Sequence, residues 1–154
     1  MSRRLTTAAD AEQILDYFNG FHDGFIRHIA LHSHDFFSQE GPQVTDIVHR
    51  LTGRFDARID IAHYNYQHGT QPSHRVVRCN FNNVKDFYLD LRDVTSHEWP
   101  IKYVDMRPLL KQNKQGQMVS YFMLVFAWSK LINNQWTERK EQVLIFQTAE
   151  FIER

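Results

Sequence analysis

Apolar residues near the start of the chain recur at helical spacing, which predicts an α-helix over residues 8–18. Thr7 lies just before the predicted helix and Asp10 lies in its first turn, three residues later, which is the spacing of a capping box. Asn19-Gly20 then predicts the end of the helix, because both residues tolerate the left-handed backbone that ends many helices. The segment from Phe18 to His34 is therefore expected to turn a corner from the helix into the first strand.

Beyond residue 25 apolar and polar positions alternate, as in strands with one buried face. In the first strand, one face is expected to carry Phe25, Ile29 and Leu31, and the other Ile26, His28, Ala30, His32 and His34. Segments 55–63 and 75–81 predict a hairpin with alternate apolar residues inward. Residues 44–51 fit a short helix or a strand, and the sequence leaves the two open.

The second half of the chain predicts further strands at 87–91, 101–106 and 142–148, with a polar loop from Pro108 to Gly116. Met118 to Trp128 is apolar on both faces, which predicts a central strand. Together these elements predict an α+β fold in a single domain, 1–154. An N-terminal helix would pack on a mostly antiparallel, curved sheet of about six to eight strands.

Composition narrows the function classes. Eighteen basic and eighteen acidic residues give a formal charge of zero and a pI near 7.1, which argues against general nucleic-acid binding. No apolar run is long enough to span a membrane, no secretory signal is visible, and the single Cys79 cannot form an internal disulfide. A cytoplasmic protein is expected. Twelve Phe, six Tyr and three Trp predict an aromatic-rich core.

Histidines supply the candidate chemistry, at His22-Asp23 in the corner and at His32 and His34 on the first strand. These four residues are the candidates for contact with a ligand or partner. A catalytic His22-Asp23 pair is disfavoured, because adjacent residues on an extended segment point to opposite sides. Asp23 is instead expected to cap the corner while Gly24 takes an unusual dihedral. His32 and His34 could share a metal ion only with further ligands, so no metal and no cofactor is predicted.

Other motifs are weak. Cys79 lies between apolar residues and is expected to be a buried, inert thiol. Asp60 with His63 has no specific spacing. Arg54, Arg58, Arg75, Arg78 and Lys85 alternate with aromatic residues, as in a single-stranded nucleic-acid site, but interspersed aspartates favour an ordinary mixed sheet surface. No catalytic residue is predicted.

Two short segments carry a resemblance. Phe21-His22-Asp23-Gly24-Phe25-Ile26 opening a strand, with Phe81-Asn82-Asn83-Val84-Lys85-Asp86-Phe87 later, resembles small bacterial α+β domains of unknown function, including immunity-type proteins of toxin systems. The resemblance implies a non-catalytic protein that binds a partner. It transfers no catalytic residue to this chain.

We therefore expect a cytoplasmic bacterial protein without catalysis that binds a protein partner or a second copy of itself. The alternative is a small-ligand-binding domain or enzyme with a His/Asp-lined pocket, in a cone-shaped α+β fold of the nuclear-transport-factor type. The long apolar strand and Trp136 are compatible with that fold, which usually begins with more helix. An enclosed polar cavity would favour the alternative, and a filled core would favour a partner-binding surface.

Overall fold

Two antiparallel sheets and one α-helix make up most of the structure. The computed structural model describes residues 2–34, 36–39, 47–50, 54–65, 73–89 and 100–154. Helix α1 spans Ala8–Tyr17, and a 3-10 turn spans Asn19–Phe21. The strands are β1 Ser2–Leu5, β2 Phe25–Ser33, β3 Phe36–Gln39, β4 Ile47–Arg50, β5 Phe55–Asn65, β6 Ser73–Val84, β7 Asp86–Phe87, β8 Ile101–Gln112, β9 Met118–Ile132, β10 Gln135–Phe146 and β11 Thr148–Glu153. Within these ranges no helix is long and apolar enough to cross a membrane.

The strands are divided between a five-stranded sheet, order β1-β11-β6-β5-β2, and a four-stranded sheet, order β7-β10-β9-β8. β3 and β4 pair separately. The predicted α+β class is confirmed at a coarse level, since the chain is mostly β with one α-helix. The prediction of one curved sheet is wrong, because the strands form two main sheets. The chain passes between the sheets at Lys85 and at Gln147. The alternation of apolar and polar residues continues through each bend. The sequence pattern therefore does not reveal that the strands on the two sides of a bend belong to different sheets.

Aromatic side chains fill the space between the two sheets. Phe81 of the five-stranded sheet meets Phe146 of the four-stranded sheet with ring centroids 4.8 Å apart, and Phe146 stacks on Phe122 at 5.9 Å. Phe126 and Trp128 stack at 5.1 Å farther along β9. All five side chains are buried. This arrangement confirms the aromatic-rich core and the interior position of β9, which lies between β8 and β10.

Helix α1 begins with the predicted capping box. The Thr7 hydroxyl accepts a hydrogen bond from the Asp10 N–H at 3.2 Å, and the Asp10 carboxylate accepts one from the Thr7 N–H at 2.8 Å. Hydrogen bonds from Thr6 and then Thr7 lower the pKa of Asp10 to about 2. The helix contacts β1 and β8, the edge strands of the two sheets. At its C-terminal end Phe18 packs against His63 of β5 and Phe151 of β11, with centroids 5.6 and 6.4 Å apart.

Several segments depart from the expected pattern. Residues 2–5 form β1, which is too short for an alternation pattern to identify. β8 continues through Pro108 to Gln112, where a loop is expected, because an edge strand tolerates proline. Residues 47–50 form a strand, and the rest of 44–51 lies outside the described residues. The strand expected at 87–91 is seen only as β7, with residues 90 and 91 outside the described ranges, and 142–148 spans the junction of β10 and β11.

Candidate functional site

The corner between α1 and β2 is built from left-handed backbone dihedrals. The residues with positive φ are Asn19 (50°), Gly20 (59°), Phe21 (57°) and Asp23 (62°). The prediction of an unusual dihedral is confirmed at Gly20 and wrong at Gly24, whose φ lies outside that range. Gly24 is needed for space instead. A Cβ there would lie 2.8 Å from the Phe21 carbonyl oxygen and 3.0 Å from the Ala62 carbonyl oxygen.

Backbone hydrogen bonds attach this corner to the first residue of β8. The Asp23 N–H donates to the Ile101 carbonyl, and the Ile101 N–H donates to the Gly24 carbonyl, both at 2.8 Å. The Phe21 side chain is fully buried and stacks on Phe18 with centroids 5.0 Å apart. That burial offsets the cost of its left-handed dihedral, about 1–2 kcal/mol. The corner thus joins β2 to β8 of the other sheet.

His22 and Asp23 form a side-chain pair at this corner. His22 Nδ1 lies 3.1 Å from Asp23 Oδ2, and both side chains are about half exposed. The expectation that these neighbours point apart is wrong, because it assumes an extended backbone and Asp23 is left-handed. A carboxylate can only accept, so His22 Nδ1 donates and the ring leaves Nε2 for another partner. The pair has the arrangement of a base held by a carboxylate.

The pair opens onto a cleft of about 520 Å³ at the end of the four-stranded sheet, which we call the corner cleft. Its lining includes His22, Asp23, Lys102, Ser129, Trp136 and Glu138. Trp136 is 71% exposed. Lys102 Nζ donates to Glu138 Oε2 at 2.6 Å and lowers the pKa of Glu138 below its ordinary 4.5. The cleft therefore combines one aromatic face with charged and hydrogen-bonding groups, a combination that suits a small polar ligand.

A β-bulge at Arg27 decides which residues of β2 face outward. β2 pairs with β5 as Ile26 with Ile61 and His28 with Asp60, so Arg27 has no partner on β5. Because of this extra residue, the side chains before Arg27 point to the opposite face of the sheet from the one that the alternation after Arg27 predicts. Ile26 is consequently buried with the core face, and the prediction that it shares a face with the histidines is wrong. Phe25, which also precedes the bulge, is likewise on the opposite face from the one expected.

Two side-chain pairs hold arginines on the outer face of the five-stranded sheet. Arg78 Nε and Nη2 donate to the two carboxylate oxygens of Asp60 at 3.0 and 3.1 Å. These bonds lower the pKa of Asp60 below its ordinary 3.8. Arg58 Nη2 lies 2.9 Å from His28 Nε2. A guanidinium only donates, so His28 Nε2 is the acceptor in this contact.

These pairs line a hollow of about 560 Å³, which we call the arginine hollow. Four arginines border it, namely Arg27, Arg58, Arg78 and Arg154, together with His28, Asp60 and Val76. A second hollow of about 520 Å³ adjoins it and shares Arg58, with His32, Asp56 and Glu150 among its lining. Both hollows are open to solvent. The outer face of the sheet therefore presents a continuous polar surface with its positive charge concentrated at the arginine hollow.

His32 and His34, the other candidates of the sequence, lie beside Asp56. His34 Nε2 is 2.9 Å from Asp56 Oδ1, which also accepts the Asn83 N–H at 2.9 Å. His32 stands directly opposite Asp56 in the β2–β5 register and is exposed. In the part of the chain that the structure describes, no group of three or more His, Cys, Asp or Glu side chains is placed to hold a metal ion.

Two further sequence candidates belong to the core. Cys79 is fully buried, and its burial raises the pKa of the thiol well above 9.0, as expected of an inert cysteine. His63 is 1% exposed and packs edge-on against Phe18 and Phe21 at 5.6 and 5.5 Å. Asp60 belongs to the outer face, so Asp60 and His63 do not form a site.

The cations that alternate with aromatic residues do not form one face. Arg54 Nη2 donates to the Tyr121 hydroxyl at 3.0 Å, and Arg75 Nη1 lies 3.1 Å from Glu153. Only Arg58 and Arg78 of that series reach the arginine hollow. The interpretation of these residues as an ordinary mixed surface misses the grouping of Arg58 and Arg78. The grouping follows from the strand register, which places Arg78 opposite Asp60, two residues from Arg58.

Comparison with known proteins assigns no function to the corner cleft or to the arginine hollow. No protein-family model matches the chain, and no match is found among curated proteins or among solved structures. The resemblance of residues 21–26 and 81–87 to immunity-type domains stays a prediction. The corner cleft and the arginine hollow are therefore the two candidate sites, each defined by its own geometry.

Proposed function

We propose that this chain is a non-catalytic binding protein that recognises an acidic protein partner through the outer face of its five-stranded sheet. One observation carries the proposal: four arginines border a single hollow in which Asp60 is the only acidic side chain among the described lining residues. The chain as a whole has no net formal charge. A local excess of positive charge on a neutral protein favours a specific acidic surface over general polyanion binding.

The filled core supports binding rather than an interior active site. The space between the sheets is occupied by buried aromatic side chains such as Phe81, Phe126 and Phe146. Both hollows of the outer face are open, and such open surfaces suit a macromolecular partner better than a small molecule, which is usually enclosed by its site. Arginine is also the charged residue most enriched at protein interfaces, because its planar group binds carboxylates at two points.

The test is co-purification from a bacterial host with two charge-matched variants. Arg27→Glu reverses a charge at the arginine hollow, and Lys114→Glu reverses one at the exposed β8–β9 turn. Mass spectrometry is expected to find an acidic protein that is retained by the wild type and by Lys114→Glu and lost from Arg27→Glu. Equal retention by both variants would remove the arginine hollow from the proposal.

A second candidate function is small-ligand binding at the corner cleft, favoured by the His22–Asp23 pair beside the exposed Trp136. The cleft lies at the end of a sheet, so it differs from the interior pocket of a cone-shaped fold. A fragment screen by thermal shift would test it. Hits that stabilise the wild type and Arg27→Glu, and fail to stabilise His22→Ala and Trp136→Ala, would support a ligand site in the cleft.

A further inference from the structure

We propose that the arginine hollow binds a phosphoryl group carried on a side chain of the partner, an inference that rests on the proposed function. The four arginines converge from separate parts of the sheet. Arg58 and Arg78 stand on the adjacent strands β5 and β6. Arg27 is the bulged residue of β2. Arg154 is held next to β6 by its own N–H, which donates to the Val76 carbonyl at 2.9 Å.

The donors around the hollow outnumber the acceptors. Each guanidinium has five N–H donors. Arg78 uses Nε and Nη2 on Asp60. Arg58 uses Nη2 on His28, and its Nε is buried without a hydrogen-bond partner among the described residues. The Nη1 groups of Arg58 and Arg78 are not engaged in these bonds and can donate to an incoming acceptor.

Charge favours a phosphoryl group over a carboxylate. Among the described side chains that line the hollow, four arginines and one aspartate leave a formal excess of three positive charges. A phosphorylated side chain carries about 1.5–2 negative charges at neutral pH and three acceptor oxygens, so it can accept from several guanidinium groups at once. One carboxylate accepts from a single guanidinium fork and would leave most of these donors unused.

The surroundings favour a group that is part of a larger molecule. The arginine hollow is open on one side and continues through Arg58 into the second hollow, which offers Asn80, Asn82 and Glu150 as hydrogen-bonding groups. A free ion would leave that surface unoccupied, whereas a peptide segment could place its phosphoryl group among the arginines and its backbone over the asparagines. We therefore assign the occupant as a phosphorylated segment of a protein.

Nuclear magnetic resonance titration of the full-length chain tests the assignment, read at backbone amides and arginine Nε–H signals. The probes are N-acetyl-O-phosphoserine amide, N-acetylglutamate amide, inorganic phosphate and a short oligothymidylate. Phosphoserine is expected to shift the signals of Arg27 and Arg58 at concentrations about tenfold lower than glutamate does. It should also act at lower concentrations than inorganic phosphate or the oligonucleotide.

Two variants complete the experiment. Arg27→Gln changes an exposed side chain at the bulge, so the fold should be retained, and binding of phosphoserine should weaken. Lys114→Gln removes an equal charge at the exposed β8–β9 turn and should bind as the wild type does. Equal half-saturation by phosphoserine and glutamate, tighter binding of inorganic phosphate or oligothymidylate, or identical behaviour of the two variants would overturn the assignment. The proposed function is tested separately by co-purification. Loss of the acidic host partner from Arg27→Glu would support the proposed function even if the titration overturned the assignment of a phosphoryl group.

Discussion

The corner cleft and the arginine hollow lie on different sheets and are positioned by different interactions. At the corner, four consecutive or nearly consecutive residues hold left-handed dihedrals, and short backbone hydrogen bonds fix them to Ile101. At the hollow, the backbone is regular except for one bulge, and strand register brings the side chains together. The corner is therefore a property of a local segment that depends on the core beneath it. The hollow is a property of pairing between strands that are distant in sequence.

This difference decides which substitutions each region should tolerate. Residues of the corner cleft depend on a strained backbone, so substitutions beneath it should affect both stability and the His22–Asp23 geometry. Side chains of the arginine hollow project from a sheet that is held by its inner face. Replacing an exposed arginine there should change binding and leave the fold intact.

The largest expected effect is at Phe21, which holds the corner to the core. Phe21→Ala should lower the free energy of unfolding by about 3–5 kcal/mol, because it removes a fully buried ring. Arg27→Ala, at the exposed bulge of the hollow, should stay within about 0.5 kcal/mol of the wild type. Urea melts of the two variants measure the contrast. Similar losses in both variants would show that the two regions are not supported differently.

The next effect separates the two glycines of the corner. Gly24→Ala forces a Cβ against two carbonyl oxygens and should cost about 1–3 kcal/mol. Gly20→Ala has room, with Tyr103 Cβ at 3.6 Å, and should cost about 1–2 kcal/mol for its dihedral alone. D-alanine at position 20, introduced by chemical ligation, should restore stability there, because a D-residue favours the positive φ of Gly20. A loss at Gly20 that D-alanine does not reverse would contradict the dihedral as its cause.

A smaller effect tests the hydrogen-bonded pair of the hollow. Arg78 holds the pKa of Asp60 below 3.8, so the pair's contribution is fully present above pH 3.8. It is lost as the pH falls further, since the unfolded state then binds the proton first. Asp60→Asn should cost about 1 kcal/mol at neutral pH. The gap between wild type and variant should narrow below pH 3.8, and a gap that stays constant in urea melts there would contradict this account.

The sequence predicts the parts of the fold that depend on neighbouring residues. The capping box of Thr7 and Asp10, the helix end at Asn19-Gly20 and the inward residues of the β5–β6 hairpin all follow from local spacing. The division into two sheets does not, because it depends on bends at Lys85 and Gln147 that leave the alternation unchanged. Burial of Cys79 is predictable for the same local reason, since its neighbours on the strand face are apolar.

The candidate sites are predictable only in their residue types. His22 and Asp23 are visible in the sequence, but their pairing depends on the left-handed φ of Asp23, which only Gly routinely adopts. The arginine hollow needs the bulge at Arg27 and the register of three strands. Neither is encoded within one short segment. Pairing between distant strands is thus the information that a single sequence lacks.

The smallest expected effect concerns metal binding at His32 and His34. His34 Nε2 already contacts Asp56, and no group of three or more His, Cys, Asp or Glu side chains among the described residues is placed to hold a metal ion. A zinc site in proteins normally has at least three protein ligands. The purified, untagged protein should therefore contain no stoichiometric transition metal, and chelation should leave its melting temperature unchanged. Elemental analysis that finds one zinc or nickel per chain, lost in His32→Ala and kept in His22→Ala, would contradict this prediction and favour a metal-dependent site on the outer face.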